Sequence, residues 1–268
     1  MTTTSIHKLD AYNSARASDN PLHKDDAAKK LGYAAGMVPG VDMYAYLTYA
    51  PVQRWGMEWL QGGKATVNLL KPVYEGDPCE VVVTAETGNR LEADLCCGGA
   101  VKAKAVFEPD VRKSSDAPLP EVPPRREIAS PRIPAEETSL TPGTQLGTIR
   151  KTLTRADSPG FLADMRDDLP IYAEQNLVHP GYLLRMCNWA FSQNIALGPW
   201  IHTESHVQHF ALAHLDQVLE ARPIVRANYE KRGHQWIEAD VALVDESGSL
   251  LTLVRHIAIY RLRTVTTQ

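Results

Sequence analysis

Hydrophobic and polar positions alternate along one stretch in the first half of the chain. From residue 101 to 107 the order is Val, Lys, Ala, Lys, Ala, Val, Phe, which suits an antiparallel strand with one buried face. Turns rich in Gly, Asp and Asn separate the predicted strands. These strands are Ala65–Leu70, Cys79–Glu86, Leu91–Cys97 and Val101–Glu108. The stretch before them, Val41–Trp59, is apolar on nearly all sides, which predicts a helix enclosed by the sheet.

The second half repeats this order. A strand predicted at Leu146–Thr154 is followed by an apolar helix at Tyr182–Ala196. Four strands are predicted next: His202–Leu212, Gln217–Arg232, Gln235–Val244 and Leu250–Leu262. Two short strings also recur in the same order, since residues 19–23 (DNPLH) correspond to 168–172 (DLPIY) and 38–40 (VPG) to 179–181 (HPG). The repeat predicts two copies of one unit, and side-by-side pairing would cover the sheet edge that each leaves open.

Prolines are concentrated between Pro109 and Pro142. Proline has no amide donor and a fixed φ, so this stretch suits neither a central strand nor a regular helix. We expect an extended linker laid over a surface. The predicted organisation is an N-terminal unit at 1–109, a linker at 110–142 and a C-terminal unit at 143–268. Each unit is expected to be α+β, with an antiparallel sheet wrapped around a central helix.

Composition supports a globular chain of two domains. The chain has 268 residues, of which 44% are hydrophobic and 22% charged. The net charge is −4 and basic residues are scattered, which argues against nucleic-acid binding. No apolar run approaches the ~20 residues needed to span a bilayer, and no secretory signal is visible. We therefore expect a cytoplasmic protein without membrane contact. The chain is expected to be either a monomer of two units or a homodimer.

Four cysteines occur, at Cys79, Cys96, Cys97 and Cys187. They form no CxxC pair, and adjacent residues of a strand point to opposite faces. We expect buried reduced thiols rather than a disulfide framework or a zinc site.

One segment carries a motif. Asn20-Pro21-Leu22-His23, followed by Gly32-Tyr33 and by a Val-Pro-Gly string that opens a helix, resembles the hydratase motif of MaoC-like (R)-specific enoyl-CoA hydratases. Residues 71–77 (KPVYEGD) resemble a turn and strand of the same family. The similarity covers most of residues 10–108, and the second half matches in outline. It implies a tandem (double) hotdog fold that binds a CoA thioester between two units.

The resemblance also implies a reaction. In that family an Asp and a His activate one water, which adds syn across a 2-enoyl thioester to give an (R)-3-hydroxyacyl thioester. Here His23 would be the base, Asn20 would hold the water or orient His23, and the N–H of Gly40 would polarise the thioester carbonyl. A histidine pKa near ~6.5 suits proton transfer, and a helix N-terminus suits a developing enolate oxygen. We expect no cofactor and no metal.

The acidic partner departs from the family pattern. The family places its aspartate five residues before the histidine, where this chain has Ser18, and the nearest carboxylate is Asp19 at four residues. Asp19 would fit if the loop shifts by one residue. Asp42, two residues into the helix after Gly40, is a reserve acid.

The second copy shows the converse pattern. Asp167 and Asp168 occupy the two acidic positions, whereas Tyr172 replaces the histidine and Leu169 the asparagine. We expect this copy to be non-catalytic and the Tyr172 hydroxyl to be a buried hydrogen-bonding group.

A histidine cluster in the second half raises the question of a metal site. It comprises His202, His206, His209 and His214. On a regular strand, His202, Glu204 and His206 share one face and His209 lies on the other. We therefore expect these histidines to line a tunnel or a solvent face rather than to bind a metal.

Two other functions remain open on the same scaffold. Ser18 at the aspartate position keeps an acyl-CoA thioesterase in view. A non-catalytic acyl-CoA binding module would bind a thioester without turnover.

Overall fold

A computed structural model describes residues 4–109 and 118–263. Ten strands form one antiparallel sheet in these ranges. The first half contributes β1 (Thr4–Asp10), β2 (Lys64–Leu69), β3 (Pro78–Thr87), β4 (Arg90–Cys97) and β5 (Ala100–Glu108). The second contributes β7 (Ile149–Lys151), β9 (Ile201–His209), β10 (Leu219–Lys231), β11 (His234–Asp245) and β12 (Leu250–Arg261). The short strands β6 (Ile133–Pro134) and β8 (Ile195–Ala196) pair in parallel elsewhere.

The strand order shows the duplication. It runs β1-β3-β4-β5-β2-β9-β12-β11-β10-β7, so each strand of one half has a counterpart at the mirrored place in the other. The halves join where β2 pairs antiparallel with β9, with Val67 opposite Ser205. This junction pairs an edge that either half alone would expose. The predicted tandem α+β architecture is confirmed.

The helices lie against this sheet, and the first central helix is not continuous. Its predicted range, Val41–Trp59, is divided among three short helices. Pro51 has no N–H to donate to the carbonyl of residue 47, and in a continuous helix its ring would clash with that carbonyl. Gly56 has a φ of 54°, which lies outside the helical region. The helices of the chain are α1 (Asp25–Lys30), α2 (Gly40–Leu47), α3 (Tyr49–Trp55), α4 (Met57–Gly62), α5 (Ser158–Asp164), α6 (Ile171–Glu174) and α7 (Pro180–Asn194). A 3-10 helix spans Pro21–His23.

The two central helices, α2 and α7, pack against each other inside the sheet. Residues 41–47 are all buried, and so is most of α7. A Cβ on Gly181 would collide with Ala45, so the glycine permits the close approach of the two helices. An ion pair crosses the same contact, with Arg185 Nη2 donating to Asp42 Oδ1 over 2.8 Å.

The cysteine prediction is wrong for one pair. Cys79 and Cys97 lie opposite each other in the β3–β4 hairpin and form a disulfide. Their separation of 18 residues in sequence gives no sign of this pairing, which follows from the strand register. Cys187 is a buried free thiol and Cys96 a half-buried one.

The proline-rich segment is described from residue 118 onward, and 110–117 lie outside the described residues. Residues 118–132 contain no helix or strand and follow the second half of the sheet. Pro123 O accepts from Arg222 Nη1 over 3.1 Å, and Arg126 N donates to Thr148 Oγ1 over 3.0 Å. The division of the chain at 109 and 143 stays a prediction. No helix among the described residues is long and apolar enough to cross a bilayer.

Candidate active site

The 3-10 helix at Pro21–His23 sets the orientation of His23. Asn20 Oδ1 caps this turn by accepting from Leu22 N over 3.2 Å. His23 Nδ1 lies 2.7 Å from the carbonyl oxygen of Met37. Because a carbonyl only accepts, Nδ1 carries the hydrogen and Nε2 the lone pair. His23 is therefore oriented as a base through Nε2.

The environment of His23 favours its neutral form. Burial lowers the pKa of the imidazole below its usual value of 6.5. The hydrogen bond to Met37 O and the negative charge of Asp42 raise the pKa in part, without cancelling the effect of burial. The ring can thus accept a proton at neutral pH.

Asn20 links this loop to the second half of the chain. It is buried, and its Nδ2 donates to Trp200 O over 2.9 Å. The same Nδ2 lies 3.4 Å from His23 Nε2. The side chain therefore holds the loop against the start of β9 and faces the reactive nitrogen of His23.

Two cavities meet at His23. One of about 200 Å³ is mainly apolar and is lined by Gly40 together with Met37, Val38, Met43, Leu69 and Ile201. The other, of about 660 Å³, has mixed walls, whose polar side chains include Ser14, Ser18, Arg132, Arg185 and Gln193. Four residues line both, namely Asn20, His23, Asn188 and Trp200.

Gly40 brings the start of α2 into the smaller cavity. It is the first residue of the helix, so its N–H has no acceptor within the helix. A Cβ here would lie 2.9 Å from His202 Nδ1 and would collide with Leu69. Only glycine fits this position without displacing a wall of the cavity.

The structure does not place either predicted carboxylate beside His23. The Asp19 side chain is 89% exposed and lies 3.9 Å from Arg132 Nη1, at the rim of the larger cavity. Asp42 is buried, where its carboxylate accepts from Arg185 and from Ser14 Oγ over 2.5 Å. Within the described ranges, the ring of His23 has hydrogen-bond contacts with Met37 and Asn20 alone.

The corresponding region of the second half has a different hydrogen-bond pattern. The N–H of Gly181, which corresponds to that of Gly40, donates to His179 Nδ1 over 2.9 Å. His179 Nε2 then donates to the buried carboxylate of Asp167 over 3.1 Å. This helix N-terminus is therefore already occupied by a side chain of its own.

Tyr172, which stands where the first half has His23, is buried, and its hydroxyl finds no partner among the described residues. The expectation of a hydrogen-bonding Tyr172 is wrong. The nearby carboxylate of Asp167 instead accepts from His179 and from Leu169 N.

Sequence periodicity misplaced His202. In the pairing of β9 with β12, Glu204 lies opposite Ile257 and His202 opposite Ala258, so Thr203 forms a bulge. The bulge reverses the alternation of faces on one side of it. His202 and His209 are therefore buried, whereas His206 is exposed and lies 2.8 Å from Glu204.

His202 lines the smaller cavity beside Gly40. The sequence predicted that the histidine cluster lines a tunnel or a solvent face, but not that His202 lies next to Gly40. In the part of the chain that the structure describes, no three His, Cys, Asp or Glu side chains form a group suited to a metal ion.

Comparison with known proteins identifies the fold. No protein-family profile and no curated sequence matches the chain. A solved MaoC-like dehydratase is 13% identical, with 97% of this chain and 98% of that one covered, at a TM-score of 0.61. A conserved Mycobacterium tuberculosis protein with a double hotdog fold is 10% identical, with 96% of each chain covered, at a TM-score of 0.62.

Thioesterase structures are similar as well. A proposed oleoyl thioesterase from Lactobacillus plantarum is 8% identical over 98% of each chain, at a TM-score of 0.54. At these identities the structural similarity establishes the fold but not the activity, which has to be argued from the residues of the site. The chain has the double-hotdog fold that MaoC-like dehydratases also have.

Proposed function

We propose that this chain hydrates 2-enoyl-CoA thioesters to (R)-3-hydroxyacyl-CoA, or catalyses the reverse dehydration. The observation that carries the proposal is the Nε2 lone pair of His23, which faces Asn20 Nδ2 at 3.4 Å where the two cavities meet. The Gly40 N–H, at the N-terminus of α2, supplies a donor in the same cavity.

Each residue has a defined task in this reaction. The thioester oxygen accepts from Gly40 N–H, which stabilises the enolate that forms when water oxygen bonds to C3. His23 Nε2 takes one proton from that water and returns it to C2 on the same side. The second water proton stays on the new hydroxyl, so the elements of one water are added. Asn20, whose Nδ2 donates to Trp200 O and lies 3.4 Å from His23 Nε2, would orient the base.

The two cavities suit the two parts of such a substrate. The smaller, mainly apolar cavity would take the acyl chain, and the larger cavity, which contains Arg132 and Arg185, would take the arm that leads to CoA. The position of Asp19 argues against a direct role in proton transfer, because its side chain lies exposed at the rim near Arg132 and not against the ring of His23. We therefore assign the proton transfers to His23 alone.

Substitution of His23 tests this proposal. His23→Gln keeps a polar side chain but cannot exchange a proton, so we expect hydration of crotonyl-CoA to fall roughly 10²–10⁴-fold. Loss of the enoyl absorbance measures the rate. His206→Gln is the matched control, since His206 lies outside both cavities on the exposed face of β9. Equal rates in His23→Gln and wild type would refute the assignment.

A thioesterase is the second candidate. Its supporting observation is Ser18, whose hydroxyl is buried and unpartnered among the described residues and which lines the larger cavity. In that reaction His23 would direct water at the carbonyl carbon, and Gly40 N–H would bind the oxyanion. Thiol release from butyryl-CoA, with no change of absorbance on enoyl-CoA, would favour it.

A further inference from the structure

His202 carries a buried lone pair for which the proposed mechanism gives no role. The residue is 6% exposed, and its Nδ1 has no hydrogen-bond partner among the described residues. Leaving a buried acceptor unpaired costs about 1–3 kcal/mol, so such atoms in native proteins call for an explanation. This one lies beside Gly40, in the wall of the smaller cavity.

The hydrogen bonds of the ring fix which nitrogen is free. His202 Nε2 contacts Glu204 O over 3.2 Å and Ser205 Oγ over 2.8 Å. The carbonyl only accepts, so Nε2 carries the hydrogen and Nδ1 the lone pair.

The ring of His202 is held by a chain of partners. Because Ser205 Oγ accepts from His202, its own hydrogen goes to His256 Nδ1 over 3.0 Å. His256 Nε2 then donates to Asn188 Oδ1 over 3.0 Å, and Asn188 lines both cavities. His202 is thus oriented by a buried network that begins and ends at the walls of the site.

His209 shows that a buried nitrogen without a partner does not by itself indicate a ligand contact. It is also buried, and its Nε2 also lacks a partner among the described residues. Its ring packs edge-on against Trp59 at 4.9 Å, beside a void of only about 10 Å³. No ligand fits there, whereas His202 borders a cavity of about 200 Å³ shared with His23.

We propose that His202 Nδ1 accepts a hydrogen bond from the hydroxyl at C3 of the substrate, and from the water that becomes this hydroxyl. The inference rests on the proposed function. Near the reacting carbons of an acyl thioester, the carbonyl oxygen and the sulfur only accept, and the hydroxyl is the group that donates. His202 would fill the place of a second acceptor for the water, which the exposed Asp19 leaves empty.

Two substitutions separate this role from a structural one. His202→Gln can place an amide N–H near the Nε2 position and keep the bond to Ser205, but it removes the acceptor at Nδ1. His202→Asn can place an amide oxygen near the Nδ1 position and loses the bond to Ser205. The acceptor that faces the cavity is therefore lost in His202→Gln and kept in His202→Asn. If His202 only held the structure through Ser205, His202→Gln would be the milder substitution and His202→Asn the more damaging one.

The test is ligand affinity, measured by calorimetry in a His23→Gln background that prevents turnover. We expect (R)-3-hydroxybutyryl-CoA to bind about tenfold more tightly than butyryl-CoA, as one hydrogen bond allows. This preference should vanish on adding His202→Gln and survive on adding His202→Asn or the control His206→Gln. A preference that persists with His202→Gln, or none in the parent, overturns the proposal. Equal weakening of both ligands would point to the amide N–H of the CoA arm and also overturn it.

A second measurement needs no substitution at His202. In protein labelled with ¹⁵N-histidine, the resonance of His202 Nδ1 should move upfield with (R)-3-hydroxybutyryl-CoA and stay in place with butyryl-CoA. An unchanged resonance with a bound hydroxyacyl ligand contradicts the proposal. Both readouts report binding, so a failure of hydratase activity in wild type would be seen separately.

Discussion

Some residues of the candidate site could be predicted from the sequence and others could not. Asn20, His23 and Gly40 could be found from a motif, and the structure places all three on one cavity. The sequence could not predict whether the carboxylate of Asp19 lies in the site, because a shift of one residue in a loop decides whether it is buried or exposed. His202 was expected to line a tunnel or a solvent face, but its place beside Gly40 could not be predicted, since the bulge at Thr203 reverses the strand faces and has no local signal.

The pKa of His23 predicts how the rate depends on pH. Neutral His23 is the base, and burial lowers its pKa below 6.5. The kcat/KM for hydration should therefore rise with pH through an apparent pKa below 6.5 and stay flat above it. In Asp42→Asn this limb should move to still lower pH, because the charge of Asp42 raises the pKa of His23. A limb at or above 6.5 in wild type, or one that rises in Asp42→Asn, would contradict this account.

At the scale of elements, α2 and α7 hold the site together. Apolar stretches predicted both helices, but the prediction missed the breaks that Pro51 and Gly56 introduce into the first. The Asp42–Arg185 ion pair between the helices joins residues 143 positions apart, which no local pattern reveals.

A double-mutant cycle measures that ion pair. Asp42→Leu leaves a mostly buried guanidinium without its partner, and Arg185→Met leaves a buried carboxylate. Each single variant should lose about 3 kcal/mol of unfolding free energy in urea. The double variant should lose clearly less than the sum of the two, because no unpaired charge remains. Additive losses would show that the pair contributes no coupling.

At the scale of the molecule, duplication explains the fold. Two repeated strings and a repeated order of elements predicted the tandem architecture, and the β2–β9 pairing completes it. The disulfide between Cys79 and Cys97 escaped prediction because strand register, rather than spacing, brings the cysteines together.

Buried histidines make the stability of the whole molecule depend on pH. Burial lowers the pKa of His202 to about 3 and of His209 to about 4. Below pH 6.5 these histidines bind protons in the unfolded chain but stay neutral in the folded one. The free energy of unfolding is therefore highest above pH 6.5 and falls as the pH drops. At pH 5 each histidine should cost about 2 kcal/mol.

Thermal unfolding across this pH range provides the measurement. His209→Asn keeps an acceptor near Thr252 and removes the titration, so its Tm should fall less steeply than that of wild type between pH 7 and 5. The exposed His206→Gln control should follow the wild-type slope. Parallel slopes for His209→Asn and wild type would contradict the explanation.

The most direct test of the central claim is the product formed from crotonyl-CoA by the wild-type protein, identified by mass and by chiral chromatography. The account predicts (R)-3-hydroxybutyryl-CoA, 18 Da heavier than the substrate (roughly one water), with the thioester intact and formation lost in His23→Gln. Release of free CoA together with crotonate, or formation of the (S) isomer, would contradict it.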